Sequence, residues 1–105
     1  MHVTVDLTAA TAQVLLVEPE DCQRFDVVVL GPGDTATLDA ALLAAAVGRT
    51  EEAGALVEVA AVRRLASGSV GDGWEADFVA MIEFARAKGW VTEDGRAIVA
   101  HVEWR

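Results

Sequence analysis

Two histidines are the side chains best suited to acid–base chemistry, because an imidazole titrates near neutral pH. His2 lies in the first segment of the chain and His101 lies in the final one, and both segments alternate polar and apolar residues. In a strand, alternate side chains share a face. If the first and last strands pair, one face would therefore collect His2, Thr4, Asp6, His101 and Glu103.

Such a group would offer imidazole and carboxylate ligands to a metal, or an acid and a base to a reaction. The catalytic candidates are His101, Glu103, His2 and Asp6. A slip of one residue in the strand register would separate them, and polar strand residues most often face solvent. We therefore expect neither a bound metal nor a cofactor, and the sequence favours a non-enzymatic role without excluding catalysis.

Other chemical motifs are incomplete. Gly31-Pro32-Gly33-Asp34 lacks the third glycine of a dinucleotide-binding loop and the Gly-Lys-Ser/Thr end of a phosphate-binding loop, so we interpret it as a turn. The carboxylates of 18–21 and 72–77 lack the spacing of a calcium-binding loop. Cys22 is the only cysteine, which excludes an internal disulfide, and we expect it to be a half-buried apolar residue.

Charge excludes several classes of partner. The 105 residues carry 17 acidic and 8 basic side chains, a formal net charge of -9, and Lys88 is the only lysine. General binding to nucleic acid or to an anionic membrane surface is therefore not expected. The first residues lack the charged and apolar regions of a signal peptide, and a lone cysteine suits a reducing compartment, so we expect a cytoplasmic protein.

Hydrophobic periodicity predicts the elements of the first half of the chain. Residues 1–7 alternate like a half-buried strand, 14–17 form a short apolar run, and 25–30 form a more fully buried strand. Thr37 or Thr35 is expected to cap the helix that follows, and Gly48 is expected to end it. Residues 51–66 fit either one helix or a strand followed by a short helix, and we prefer the second interpretation.

The segment from Glu75 to Lys88 is the best-specified helix. An apolar stripe at three- and four-residue steps contains Trp74, Phe78, Met81, Ile82 and Ala85. Asp72 stands three residues before Glu75, a spacing that predicts a capping interaction. Gly89 should close the helix and turn Trp90 back against Phe84 or Ala85. Asp94-Gly95 then predicts a turn into a C-terminal strand, and so a β-hairpin.

We therefore expect residues 1–105 to form a single small α+β domain. Its sheet should be mixed or mostly antiparallel, with two or three helices packed on one face and a C-terminal β-hairpin. The function that fits best is a non-catalytic protein-interaction or oligomerising domain, either a homodimer or the binder of another protein. The alternative is a small enzyme or ligand-binding domain with a pocket between sheet and helices near His101 and Glu103.

Overall fold

A computed structural model of the chain describes residues 1–52 and 54–105. These residues form an α+β fold in which three helices pack against a mixed six-stranded sheet. In chain order the elements are β1 (His2–Asp6), β2 (Gln13–Val17), β3 (Asp26–Leu30), α1 (Thr35–Ala44), β4 (Gly48–Glu51), β5 (Gly54–Glu58), α2 (Val59–Ala66), α3 (Trp74–Ala87) and β6 (Ala97–Trp104).

The sheet has the strand order β2-β1-β3-β6-β5-β4. β3 runs parallel to both β1 and β6, whereas the β1–β2, β5–β6 and β4–β5 pairs are antiparallel. The first and last strands do not pair, because β3 lies between them, so the condition on which the histidine cluster depended is not met. The physical reason is the run Val27–Val29, three consecutive buried residues that suit a central strand with neighbours at both edges.

β6 joins the two halves of the sheet. Its first half, Ala97–Ala100, pairs with β5, and its second half, from His101 to Trp104, pairs with β3. The predicted turn at Asp94-Gly95 precedes it, with Asp94 accepting a hydrogen bond from the Arg96 N–H. The first arm of the hairpin is short: Val91 makes a single antiparallel bridge to Ile98.

One face of the sheet forms the core with the helices. Buried side chains of alternating strand positions meet buried side chains of α1, α2 and α3 in a single cluster; those of the sheet are Val3, Val5, Val27, Val29, Ala55, Val57, Ile98 and Ala100. The stripe predicted for α3 is confirmed, since Trp74, Phe78, Met81, Ile82 and Ala85 are all buried. The other face, here called the outer face, carries the intervening residues, which are both polar and apolar; they include His2, Asp26, His101, Glu103, Leu15, Leu30, Leu56 and Val99.

The two ends of α1 differ from expectation. Asp34, rather than a threonine, caps the N-terminus by accepting a hydrogen bond from the Thr37 N–H at 2.9 Å. At the C-terminus the left-handed residue is Ala46, with φ of 57°, and not Gly48. Gly48 instead begins β4, where a Cβ would lie 1.9 Å from the Leu56 carbonyl oxygen. This glycine is required by the close approach of two strands.

Residue 53 lies outside the described residues; of the rest of 51–66, 54–58 form β5 and 59–66 form α2, as preferred. The strand β4, which ends at Glu51, was not predicted. The predicted capping interaction between Asp72 and Glu75 is not formed: Gly73 is the N-cap residue of α3, and no side chain caps this helix. Glu75 pairs instead with Arg63 of α2. At the other end Gly89 adopts φ of 79°, and Trp90 packs edge-on against Phe84 as predicted. No described helix is long and apolar enough to cross a membrane.

Candidate functional site

The outer face brings the two histidines into one row. His2 of β1 is opposite Asp26 of β3, and Asp26 is opposite His101 of β6. Neighbouring strands are about 4.8 Å apart, so the two histidine backbones are separated by about 10 Å. Both histidines lie on one face of the sheet, but Asp26, which the sequence analysis did not single out, lies between them.

This row lacks the contacts that prepare a catalytic or metal site. In the described part of the chain, the side chains of His2, Asp26 and His101 make no hydrogen bond or ion pair with one another. Within 1–52 and 54–105, no group of three or more potential ligands is arranged to hold a metal ion. Without an orienting partner, an imidazole is held in neither a fixed tautomer nor a fixed direction.

The two candidate carboxylates are engaged elsewhere. Asp6 lies at the far end of β1, where hydrogen bonds from the Thr8 hydroxyl and N–H lower the pKa of its carboxyl. Glu103 accepts a hydrogen bond from Arg105 at 2.6 Å and lines a cavity of about 250 Å³ with His2 and Asp26. The four predicted catalytic residues therefore share a face but do not converge on one point.

A larger concavity than that cavity lies between α3 and the 18–25 loop. We call it the α3 groove: a cavity of about 440 Å³ lined by Glu20, Asp21, Cys22, Gln23, Asp77, Ala80, Met81 and Phe84. The loop is fixed against α3 because the Trp74 indole N–H donates to the Pro19 carbonyl at 2.6 Å. The Glu20 carboxylate accepts from the Gly71 N–H, which ties the loop to the start of the same helix.

The α3 groove is acidic. Its lining includes three carboxylates and no lysine or arginine. The N-terminal ammonium lies 3.9 Å from Asp21 Oδ2 and offsets part of that charge. Burial raises the pKa of the Cys22 thiol above its usual value, and the negative charge of Asp77 raises it further. Cys22 is half-buried as predicted, and in these surroundings its reactive thiolate form is disfavoured.

Two exposed aromatic rings, Phe84 at the edge of the groove and Trp90 beside it, form what we call the aromatic ridge. Their ring centroids are 6.3 Å apart in an edge-to-face arrangement. Phe84 is 60% exposed and Trp90 is 48% exposed, although both are large apolar side chains. The ridge arises because Phe84 lies off the buried stripe of α3 while the turn at Gly89 brings Trp90 back beside it.

A second concavity continues from the ridge. We call it the His101 cleft: about 350 Å³, lined by Phe25, Trp90, Val99, Ala100 and His101. It lies beside the start of β3 and beside residues 90–91, which pair with β6. Because Phe84 lines the groove and Trp90 lines the cleft, the two concavities and the ridge form one continuous surface.

No protein-family model matches this chain. Neither a curated protein nor a solved structure matches it significantly. The functional assignment therefore rests on the residues described above.

Sequence reasoning missed most of this surface. The contact of Trp90 with Phe84 was predicted, but the exposure of the two rings was not. The local signal was weak: Phe84 follows Met81 by three residues, which fits the spacing of the α3 stripe, but it lies at the edge of the stripe and not at its centre. The groove had no such signal, because the 18–25 loop and α3 are joined by tertiary contacts between residues far apart in the chain.

Proposed function

We propose that this chain is a protein-interaction domain that binds a partner chain through the aromatic ridge and the α3 groove. The observation that carries the proposal is the exposed Phe84–Trp90 pair, because it places two large apolar rings side by side in water. Tryptophan and other aromatic residues are enriched at the energetic centres of protein interfaces. The adjoining groove and cleft provide the recesses into which partner side chains can pack.

A different chain suits this surface better than a second copy. In a symmetric dimer the same patch of each protomer faces its counterpart, so the carboxylates of two α3 grooves would approach one another. Like charges placed together across an interface oppose association. The net charge of -9 adds to this repulsion. The homodimer stays a prediction that sedimentation equilibrium at high micromolar concentration tests directly.

The experiment is selection from a phage-displayed library of random twelve-residue peptides on the immobilised full chain. Enriched peptides are synthesised, and their dissociation constants are measured by the change in tryptophan fluorescence and by calorimetry. We expect Phe84→Ala and Trp90→Ala to weaken binding at least tenfold each, as truncation of an aromatic anchor does.

Leu43→Ala is the matched control, because Leu43 is 58% exposed but lies on α1 and lines neither the groove nor the cleft. It should leave peptide affinity unchanged. Peptides that bind equally well to Phe84→Ala, Trp90→Ala and Leu43→Ala, or a failure to enrich any sequence, would refute the proposed function.

A second candidate is a small-ligand site in the His101 cleft, favoured by the apolar walls Phe25 and Val99 with a single imidazole at the rim. A thermal-shift screen of metabolites tests it. A compound that stabilises the wild-type chain but not the His101→Ala variant would support this candidate. Stabilisation that is equal in the two proteins would count against it.

A further inference from the structure

We infer that the partner presents a positively charged segment, with an arginine or lysine entering the α3 groove and a neighbouring apolar side chain on the aromatic ridge. This inference rests on the proposed function and specifies the chemistry of the partner. It excludes acidic and purely apolar segments as preferred ligands.

The shape of the groove suits a long side chain with a charged end. Its volume of about 440 Å³ lies in the range of roughly 300–1,000 Å³ found for sites that enclose a ligand. Ala80, Met81 and Phe84 supply an apolar wall along α3. The methylene stems of lysine and arginine pack on such walls while their charged ends reach polar groups.

The charges of the groove provide the complement to that end. Glu20 and Asp21 approach from the loop and Asp77 approaches from α3, so carboxylates occupy both sides of the opening. The Glu20 carboxylate is held in place by the Gly71 N–H at 3.0 Å, and Asp21 Oδ1 accepts from the Gln23 N–H. These groups are positioned before a partner arrives, which lowers the entropic cost of binding.

The ridge already lies beside a cation of the chain itself. The Lys88 ammonium lies 5.5 Å from the centroid of the Phe84 ring, within the distance of a cation–π contact. The positive charge of Lys88 opposes a second cation on this ring. The ridge therefore suits the apolar side chain of the partner, and the acidic groove suits its charged one.

The test uses the peptides selected on the wild-type chain and three charge variants. Glu20→Gln and Asp77→Asn each remove one negative charge from the groove, and Glu52→Gln removes one elsewhere on the surface. We expect enriched peptides to combine arginine or lysine with leucine or an aromatic residue. Each groove variant should weaken binding about threefold, with Glu52→Gln unchanged, and salt should weaken wild-type binding more than variant binding.

The outcomes separate the inference from the function on which it rests. Enriched peptides that need Phe84 and Trp90 but are neutral or acidic, or that ignore Glu20→Gln and Asp77→Asn, overturn the inference and leave the protein-interaction function standing. If no enriched peptide depends on Phe84 and Trp90, both the inference and the proposed function are overturned. Because the Glu20 carboxylate also accepts a hydrogen bond from the Gly71 N–H, the melting temperature of each variant is measured. If Glu20→Gln lowers stability, the peptide affinity of Asp77→Asn tests the charge of the groove instead.

Discussion

Arg63 and Glu75 clamp α2 to the first turn of α3. The Arg63 Nη2 atom lies 2.7 Å from Glu75 Oε2, and its Nε atom lies 3.1 Å from Oε1. The same guanidinium lies 5.3 Å from the centroid of the Phe78 ring. Arg63 therefore contacts both Glu75 and the buried ring of Phe78. These contacts hold the N-terminal end of α3 against α2.

This pair predicts an acid-dependent loss of stability. Hydrogen bonding from Arg63 lowers the pKa of the Glu75 carboxyl below its ordinary value of 4.5 in the folded chain. The stabilisation is therefore present above pH 4.5 and is lost as the pH falls through the lower pKa of the folded state. Glu75→Gln should flatten this part of the stability–pH curve, measured by urea unfolding.

Glu103→Gln is the control for Glu75→Gln, since the Glu103–Arg105 pair joins residues of the same chain end and links no two helices. Arg63→Ala should lower the melting temperature more than Glu75→Gln, because it also uncovers Phe78. Equal effects of Arg63→Ala and Glu75→Gln would show that the contact with the ring adds nothing.

Phe78 anchors α3 in the core and stacks on Trp74 with ring centroids 4.6 Å apart. Phe78→Ala should lower the free energy of unfolding by about 3–5 kcal/mol, because it removes a fully buried ring and leaves a cavity. Val79→Ala, one residue along the same helix and 41% exposed, should cost less than about 0.5 kcal/mol. A loss below 1 kcal/mol for Phe78→Ala would contradict the packing of this helix.

Gly48 lies where β4 approaches β5. Gly48→Ala should destabilise the chain by about 1–3 kcal/mol, since the added methyl group meets the Leu56 carbonyl and backbone must move. Gly71→Ala is the matched control, because no atom lies within 4 Å of a Cβ at that position. Chemical denaturation of both variants checks the difference, and similar stabilities would show that the strands separate easily.

Ala46 is a strained residue at the end of α1, with φ of 57°. Ala46→Gly should stabilise the chain by roughly 0.5 kcal/mol, because relief of the left-handed strain exceeds the added entropy of the unfolded chain. Ala44→Gly, within the same helix but in regular conformation, should instead destabilise it by about 0.5–1 kcal/mol. Urea unfolding midpoints of the two variants check this: a midpoint for Ala46→Gly that is not above that of the wild type would show that Ala46 is not strained.

Cys22 reports on the charge of the α3 groove. Asp77→Asn should lower the pKa of its thiol, because the carboxylate of Asp77 is the largest electrostatic contribution after burial that raises it. The rate of alkylation by iodoacetamide, followed against pH, gives the thiol pKa. Glu52→Gln should leave the profile unchanged, and an unchanged profile in Asp77→Asn would place the carboxylate too far from Cys22 to act.

Local patterns in the sequence predict the elements well. The buried stripe of α3, the alternation of β1 and β6, and the turn at Gly89 all follow from neighbours in the chain. β4 was missed because Gly48-Arg49-Thr50-Glu51 has no apolar periodicity and depends on pairing with β5. The capping prediction at Asp72 failed because a tertiary partner, Arg63, holds Glu75.

The candidate site is less predictable for the same reason. Strand alternation places His2 and His101 on one face, but only the strand order reveals that Asp26 separates them. The groove joins Glu20 and Cys22 to Asp77 across more than fifty residues of chain, and no local pattern encodes that contact. Local sequence periodicity predicts which side of a strand or helix a residue occupies, whereas a site depends on which elements pack together.

The position of β6 has a consequence for how the chain assembles. Its two ladders do not overlap, so β1–β3 and β4–β5 share no hydrogen-bonded edge until β6 inserts between β3 and β5. Joining Asp26 to His101 closes a long loop, an entropic cost that slows folding. We expect the docking of this one strand to be the rate-limiting event of refolding, and its release to divide the sheet into two fragments.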